Sequence, residues 1–304
     1  MERLLGVVHY ALFPSAGSGT GDITESFEVI LSDGFFGAIE ITWIKDDRAR
    51  RKAADILSEA GLLVMFSGGP PLLNSGLSLS SVDPAGRRRA VDFTRRLLDM
   101  ACELGARNVL IASGPDPGSA LREAAVASFQ ESLEELCAYG LAQRHDDPVV
   151  ICVEPFDREV QWRQLLGPTL LSAKVVSEVR KRFANCGITL DMSHVAQLGE
   201  SLAGAVDAAG DCLVHAHVAN CVLDPTSPLF GDMHPSFGVP GGVYLPADMA
   251  RYLAALDNSG FFTRPSPYGR PVVSLEIRPA AGQDPREILH DCKRYLLTWS
   301  GGQK

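Results

Sequence analysis

The chain has 304 residues, 46% of them hydrophobic, and a formal net charge of −9. That length buries a full core and suits one α/β barrel domain over residues 1–304. The acidic balance, with no basic run longer than Arg87-Arg88-Arg89, argues against a nucleic-acid partner, and no run of 18 apolar residues offers a membrane span.

Met1-Glu2-Arg3 leads directly into an apolar strand, without the regions of a signal peptide, so a cytoplasmic location is expected. The first strand is expected from Leu4 to Tyr10 and is followed by a glycine-rich turn, Pro14 to Gly21, that lacks both GxGxxG and GxxxxGK[ST]. Nucleotide binding is therefore not expected. Apolar runs then alternate with longer amphipathic stretches, the pattern of repeated βα units. The further strands are expected at Ala38 to Thr42, Leu62 to Phe66, Asn108 to Ala112, Val149 to Glu154, Gly187 to Asp191, Leu213 to Val218 and Val272 to Ile277. Asp83-Pro84 and Asp284-Pro285 read as helix starts, with an acidic cap and a first-turn proline, and Gly105 as a helix stop. Eight strands with helical returns close into a (β/α)8 barrel, whereas an open doubly wound sheet would have fewer strands and a glycine-rich nucleotide turn.

One connection is out of scale. From about 219 to 245 the chain carries Pro225, Pro228, Gly231, Pro235, Gly238, Pro240, Gly241 and Gly242 with no helical period, which reads as a lid or binding loop over the barrel mouth. The seven cysteines, Cys102, Cys137, Cys152, Cys186, Cys212, Cys221 and Cys292, are scattered and never spaced CxxC. Buried reduced thiols are expected of them.

In such a barrel the active site lies where the strands end. The fifth strand ends on Glu154, the sixth on Asp191, the seventh in His215-Ala216-His217, and the eighth on Glu276. Alternation places Cys152, Thr189, His215 and Ser274 one layer beneath, on the same inward side. Carboxylates converging on one small volume repel each other unless a cation sits between them. Two Glu, one Asp and one imidazole suit Mn2+, Mg2+, Co2+ or Zn2+. Each acidic residue taken singly could instead cap a helix or pair with a base; three of them with an imidazole at adjacent strand ends favour the metal.

The most specific segments are Val153-Glu154-Pro155, Leu190-Asp191-Met192-Ser193-His194, His215-Ala216-His217-Val218-Ala219-Asn220 and Leu275-Glu276-Ile277-Arg278-Pro279. At these segments the sequence resembles the xylose isomerase-like barrel superfamily, which includes sugar epimerases, hydroxypyruvate isomerase, inosose dehydratase and endonuclease IV. The resemblance implies Glu154, Asp191, His217 and Glu276 as metal ligands and His194 as a contact to substrate or a further metal. Arg278, facing inward two residues past Glu276, is a candidate for a substrate carboxylate or hydroxyl. His9 and Glu40, near the ends of the first two strands, are expected in the substrate wall, with Trp43 and Phe66 as an apolar side. Asp232-Met233-His234 in the long loop resembles the extra zinc-binding D-x-H of endonuclease IV, so Asp232 and His234 are candidates for a second metal or a lid contact. The strand-three and strand-four ends, Phe66-Ser67-Gly68 and Ala112-Ser113-Gly114, lack that enzyme's histidines, and no Arg between Asn220 and Gly242 matches the epimerases' loop.

The expected function is a metal-dependent isomerase or epimerase of a small polyhydroxylated carbonyl compound, with Glu154 and Glu276 as general base and acid through an enediolate. The alternatives are a sugar or inosose dehydratase or lyase, an endonuclease IV-like phosphodiesterase, and a non-enzymatic sugar-binding barrel. A small sugar-like molecule is the expected partner, and a homo-oligomer stays open.

Overall fold

A computed structural model describes residues 3–20, 23–144 and 147–300; Met1, Glu2 and Gly21 of the sequence reading lie outside them. Eight parallel strands form one sheet: β1 (Leu4–Val8), β2 (Ala38–Ile41), β3 (Leu63–Phe66), β4 (Asn108–Ile111), β5 (Val150–Val153), β6 (Cys186–Asp191), β7 (Leu213–Val218) and β8 (Val272–Leu275). The hydrogen-bonded order is β3-β2-β1-β8-β7-β6-β5-β4. The remaining seam, between β3 and β4, is closed by an isolated bridge between Ser67 and Leu110. There the Asn108 side chain replaces a backbone partner, its Oδ1 accepting the Phe66 N–H at 3.0 Å. The result is a nearly closed (β/α)8 barrel.

Helices return the chain outside the barrel, and the helix Arg122–Gln143 buries an apolar stripe of Phe129, Leu133 and Leu136. The signal at Asp83 is met: its carboxylate accepts the Ala85 and Gly86 N–H groups at the start of the helix Pro84–Glu103. Gly105 follows that helix with φ +75°, a left-handed conformation that a side chain would oppose. Inside the barrel, Gly6 is needed for space rather than conformation. A Cβ there would lie 2.5 Å from Ser274 Oγ across the β1–β8 ladder.

The two ends of the barrel differ in chemistry. Leu4, Met65, Val150 and Val272 fill the N-terminal end together with Tyr268, whose hydroxyl meets Cys152 Sγ at 3.2 Å. The layer above is polar and buried: Thr189, His215 and Ser274 are fully enclosed, and His215 Nε2 meets Ser274 Oγ at 2.8 Å. An apolar plug at one end thus leaves the C-terminal mouth as the wet end. All seven cysteines are unpaired thiols, six of them buried. Among the described residues no helix is long and apolar enough to cross a membrane.

β1 ends at Val8, two residues short of expectation, and a short helix, His9–Leu12, begins there. The segment from 219 to 245 forms no helix, and the helix Pro246–Asn258 follows it at once. Asn220 staples the two ends of this loop: its Oδ1 accepts the N–H groups of Cys221 and Tyr244, and its Nδ2 donates to Ser236 O.

Candidate active site

Four strand ends bring Glu154, Asp191, His217 and Glu276 together. One donor atom from each lies within 4.8 Å of the others, and all four residues are buried. Adjacent ladders β5–β6, β6–β7 and β7–β8 hold them in one arc, with Glu154 and Glu276 at its ends.

Asp191 does two things at once. Its Oδ1 caps the helix Met192–Gln197, accepting Ser193 N–H at 2.6 Å and His194 N–H at 3.1 Å as well as the Ser193 hydroxyl. Its Oδ2 is buried without a hydrogen-bond partner. The helix-cap reading holds for Oδ1, and Oδ2 is left over toward the other strand ends.

His217 has the same division. Nε2 meets Glu40 Oε2 at 3.1 Å, which leaves Nδ1 facing the arc. That nitrogen lies 2.8 Å from Glu276 Oε2, 3.7 Å from Glu154 Oε1 and 3.8 Å from Asp191 Oδ2. Despite the short approach to Glu276 it is out of line for a hydrogen bond and is a second orphaned buried atom. Two orphaned donors aimed into one ring of carboxylate oxygens fit a hard or borderline divalent cation. Burial pushes the Glu154 carboxyl well above its usual range. Burial works the same way on Glu276, but His234 and His217 outweigh it and hold that carboxyl at about 2.

A second group forms around the D-x-H loop. Asp232 Oδ1 accepts from His194 Nε2 at 2.8 Å and lies 3.3 Å from His234 Nε2. Donor atoms of Asp191, His194 and His234 also lie within 4.8 Å of one another. His234 adopts φ +46°, an uncommon conformation for a side-chain-bearing residue, held by Arg278 N–H donating to its carbonyl at 2.8 Å. His194 stacks on Phe156 with ring centroids 4.3 Å apart, and its Nδ1 is 3.4 Å from Glu154 Oε1. Burial lowers its basicity, yet Asp232 and Asp191 overcome that and raise it to about 10.

A cavity of about 310 Å³ opens onto both groups, at the small end of ligand pockets. Glu154, Glu276, His194, Asp232, His234 and Arg278 all line it. His9 does not. Because the chain turns helical at that residue, its ring swings outward onto Phe13 and Phe27, and its Nε2 meets Ser26 Oγ at 2.6 Å. Tyr10, one residue on, takes the wall position. Glu40 is likewise absent from the wall: it is fully buried beneath the cluster, behind His217. Burial raises its carboxyl, with His217 opposing. Trp43 and Phe66 do not form the apolar side either. Phe66 is enclosed in the core, and Trp43 is covered by the Gly17–Gly19 turn.

The apolar side comes instead from Phe156, Trp162, Pro14, Pro70 and Leu73. Phe156 and Trp162 stand on the connection after β5, which runs without a helix until Thr169. Asp157 organises it by accepting the N–H groups of Val160, Gln161 and Trp162. The connection is clasped to the long loop: Trp162 Nε1 donates to Asp232 Oδ2 at 2.7 Å, and Gln161 Oε1 accepts the Asp232 N–H at 2.7 Å. The sequence reading missed Tyr10, Gln161 and Trp162. The available signal was a second helix-free connection following a strand that ends in a candidate ligand.

Fold and strand-end cluster together define a (β/α)8 barrel with a carboxylate–imidazole site at its C-terminal mouth. The chain belongs to the xylose isomerase-like TIM barrel family, whose model matches residues 25–287. A comparison with curated proteins finds no match. Among solved structures the chain is similar to a D-tagatose 3-epimerase-like protein at 18% identity and TM-score 0.72, covering 99% of this chain and 100% of that one. It is similar to an IOLI protein with a bound zinc atom at 16% identity and TM-score 0.73, covering 97% of each chain. An AP endonuclease, family 2, from Brucella melitensis aligns at 18% identity and TM-score 0.69, covering 97% of this chain and 99% of that one. At these identities the likeness shows the fold alone.

Proposed function

We propose that this protein is a divalent-metal-dependent isomerase or epimerase of a small polyhydroxylated carbonyl compound. The observation that carries the reading is the pair of orphaned buried atoms, Asp191 Oδ2 and His217 Nδ1, aimed into one ring with Glu154 and Glu276. The sugar epimerases and the zinc-bound IOLI protein among the structural neighbours support the same class.

In this reading Glu154, Asp191, His217 and Glu276 hold the ion. When bound there, a divalent cation supplies Lewis-acid charge that polarises a carbonyl and its neighbouring hydroxyl and so acidifies the C–H between them. Glu154 and Glu276, at opposite ends of the arc, remove the carbon-bound proton and return it, passing through an enediolate. His194 orients a substrate hydroxyl, and Phe156 and Trp162 exclude water from one side. A dehydratase or lyase shares the proton abstraction and differs in expelling a hydroxyl from the next carbon. The grouping of Asp191, His194 and His234 supports a second ion beside the first, with Asp232 as a further ligand. Against a phosphodiesterase, the strand-three end reaches the cavity with Ser67, Gly69 and Pro70 and brings no histidine to it.

The test is metal analysis of the purified protein followed by turnover of ketoses and inososes in D2O. Isomerisation or epimerisation places deuterium on the product carbon next to the carbonyl. Hydrolysis of a phosphodiester with no carbon exchange would overturn the proposal.

A further inference from the structure

The cavity wall contains three carboxylates and one guanidinium, and the two kinds of charge do not meet. Each carboxylate lies within 3.4 Å of an imidazole or indole nitrogen. Glu276 lies 2.8 Å from His217 Nδ1, Asp232 accepts from His194 and Trp162 at 2.8 and 2.7 Å, and Glu154 is 3.4 Å from His194 Nδ1. Arg278 is the one Arg or Lys among the described lining residues. It forms no ion pair and no side-chain hydrogen bond among the described residues, and its Nε is buried without a partner. Its backbone is fixed, with the N–H donated to His234 O at 2.8 Å.

A buried guanidinium N–H without an acceptor has lost its water and gained nothing in exchange. At the cavity wall, the terminal N–H groups of the same guanidinium can take their acceptor from a ligand. The planar fork of arginine matches a carboxylate with two parallel N–H···O bonds. A phosphate would be expected to draw a second Arg or Lys, and Arg278 is the one such residue of the described wall.

We propose that the substrate is a hydroxy-oxo acid, held by its carboxylate at Arg278 while its carbonyl end faces the strand-end cluster. This rests on the isomerase reading for the orientation of the carbonyl, while the binding preference itself does not depend on turnover. The acid end would be chosen by charge and the reacting end by the cluster. A neutral ketose of the same length would leave the guanidinium unsatisfied.

The test uses probes that differ at one terminal carbon, remote from the ketone: D-fructose, D-fructuronate and D-fructose 6-phosphate, with binding measured by calorimetry on Mn2+-loaded protein. Wild type is expected to bind D-fructuronate about tenfold or more tighter than D-fructose, the increment of one charge-assisted pair. Arg278→Met should bring the two within about threefold, and Arg278→Lys, which keeps charge but loses the fork, should fall between. Equal binding of D-fructuronate and D-fructose by wild type overturns the proposal. So does a preference that survives in Arg278→Met, because the carboxylate would then be held elsewhere. A tenfold advantage of D-fructose 6-phosphate over D-fructuronate overturns the carboxylate assignment in favour of phosphate. If no ketose or keto acid is turned over while the Arg278-dependent preference holds, the isomerase reading fails and this inference stands.

Discussion

Asp191 Oδ2 and His217 Nδ1 lie 3.8 Å apart at neighbouring strand ends, both buried and both without a hydrogen-bond partner. Two such atoms side by side cost the fold a desolvation that nothing in the chain offsets. A shared cation, as proposed above, would offset both.

Removing one of them should therefore separate metal binding from folding. Asp191→Asn keeps an amide oxygen to cap the helix Met192–Gln197 and replaces the second oxygen by a group that cannot ligate. A metal held at 100 times its Kd stabilises the wild type by about 2.7 kcal/mol, and EDTA should remove that increment. In Asp191→Asn the thermal midpoint with and without EDTA should coincide. An EDTA shift equal to that of wild type would show that Asp191 is not a ligand.

The carboxylate behind His217 makes a different prediction. Glu40 Oε2, 3.1 Å from Nε2, accepts a hydrogen bond from the proton on that nitrogen and so turns Nδ1 toward the arc. Outer partners of this kind are typically worth about 10–100-fold in metal affinity. Glu40→Gln should weaken Mn2+ binding by about that factor, measured by competition with a chelator, while the number of ions bound at saturation stays the same. Unchanged affinity would reduce Glu40 to a packing role.

Turnover should separate the ligand and proton-transfer roles of Glu276. Glu276→Gln retains one ligating oxygen and removes the proton carrier, so the rate should fall about 10²-fold or more, with metal still bound. The check is the rate under single-turnover conditions alongside metal content. A rate within threefold of wild type would exclude Glu276 as acid or base.

What was legible in the sequence was whatever a strand end makes unambiguous. Glu154, Asp191, His217 and Glu276 each end an apolar run, and parallel register carries such residues to one level of the barrel without further information. His9 and Glu40 failed for a related reason. The apolar run Leu4–Val8 does not say which alternate residue faces inward, nor that the chain turns helical at His9. Glu40 faces inward as alternation requires, but one layer too deep to reach the cavity, a depth set by the stagger of β2 against its neighbours. Gln161 and Trp162 were hidden because they act on Asp232 through hydrogen bonds that link two connections 71 and 70 residues apart in sequence.

The displaced His9 carries the last prediction, one about stability and pH. Its ring is buried on Phe13 and Phe27, and burial lowers its pKa to about 3. The Ser26 hydroxyl donates to Ile23 O at 2.7 Å, so in the hydrogen bond between them His9 Nε2 is the donor, and the neutral ring with a proton on Nε2 satisfies it. The folded-state pKa lies below the unfolded value of about 6.5. Between those limits the unfolded chain binds a proton that the folded chain does not. The slope of stability with pH is positive there, up to about 1.4 kcal/mol per pH unit. Stability is thus fully present above about pH 6.5 and is lost progressively as the pH falls toward about 3. His9→Phe keeps a ring between Phe13 and Phe27 and removes the titrating group. Urea unfolding of both proteins at pH 7, 6, 5 and 4 should show the wild type losing stability faster than the variant below about pH 6.5, with the gap widening toward pH 4. Parallel curves would mean that His9 is protonated as readily in the folded chain as in the unfolded one.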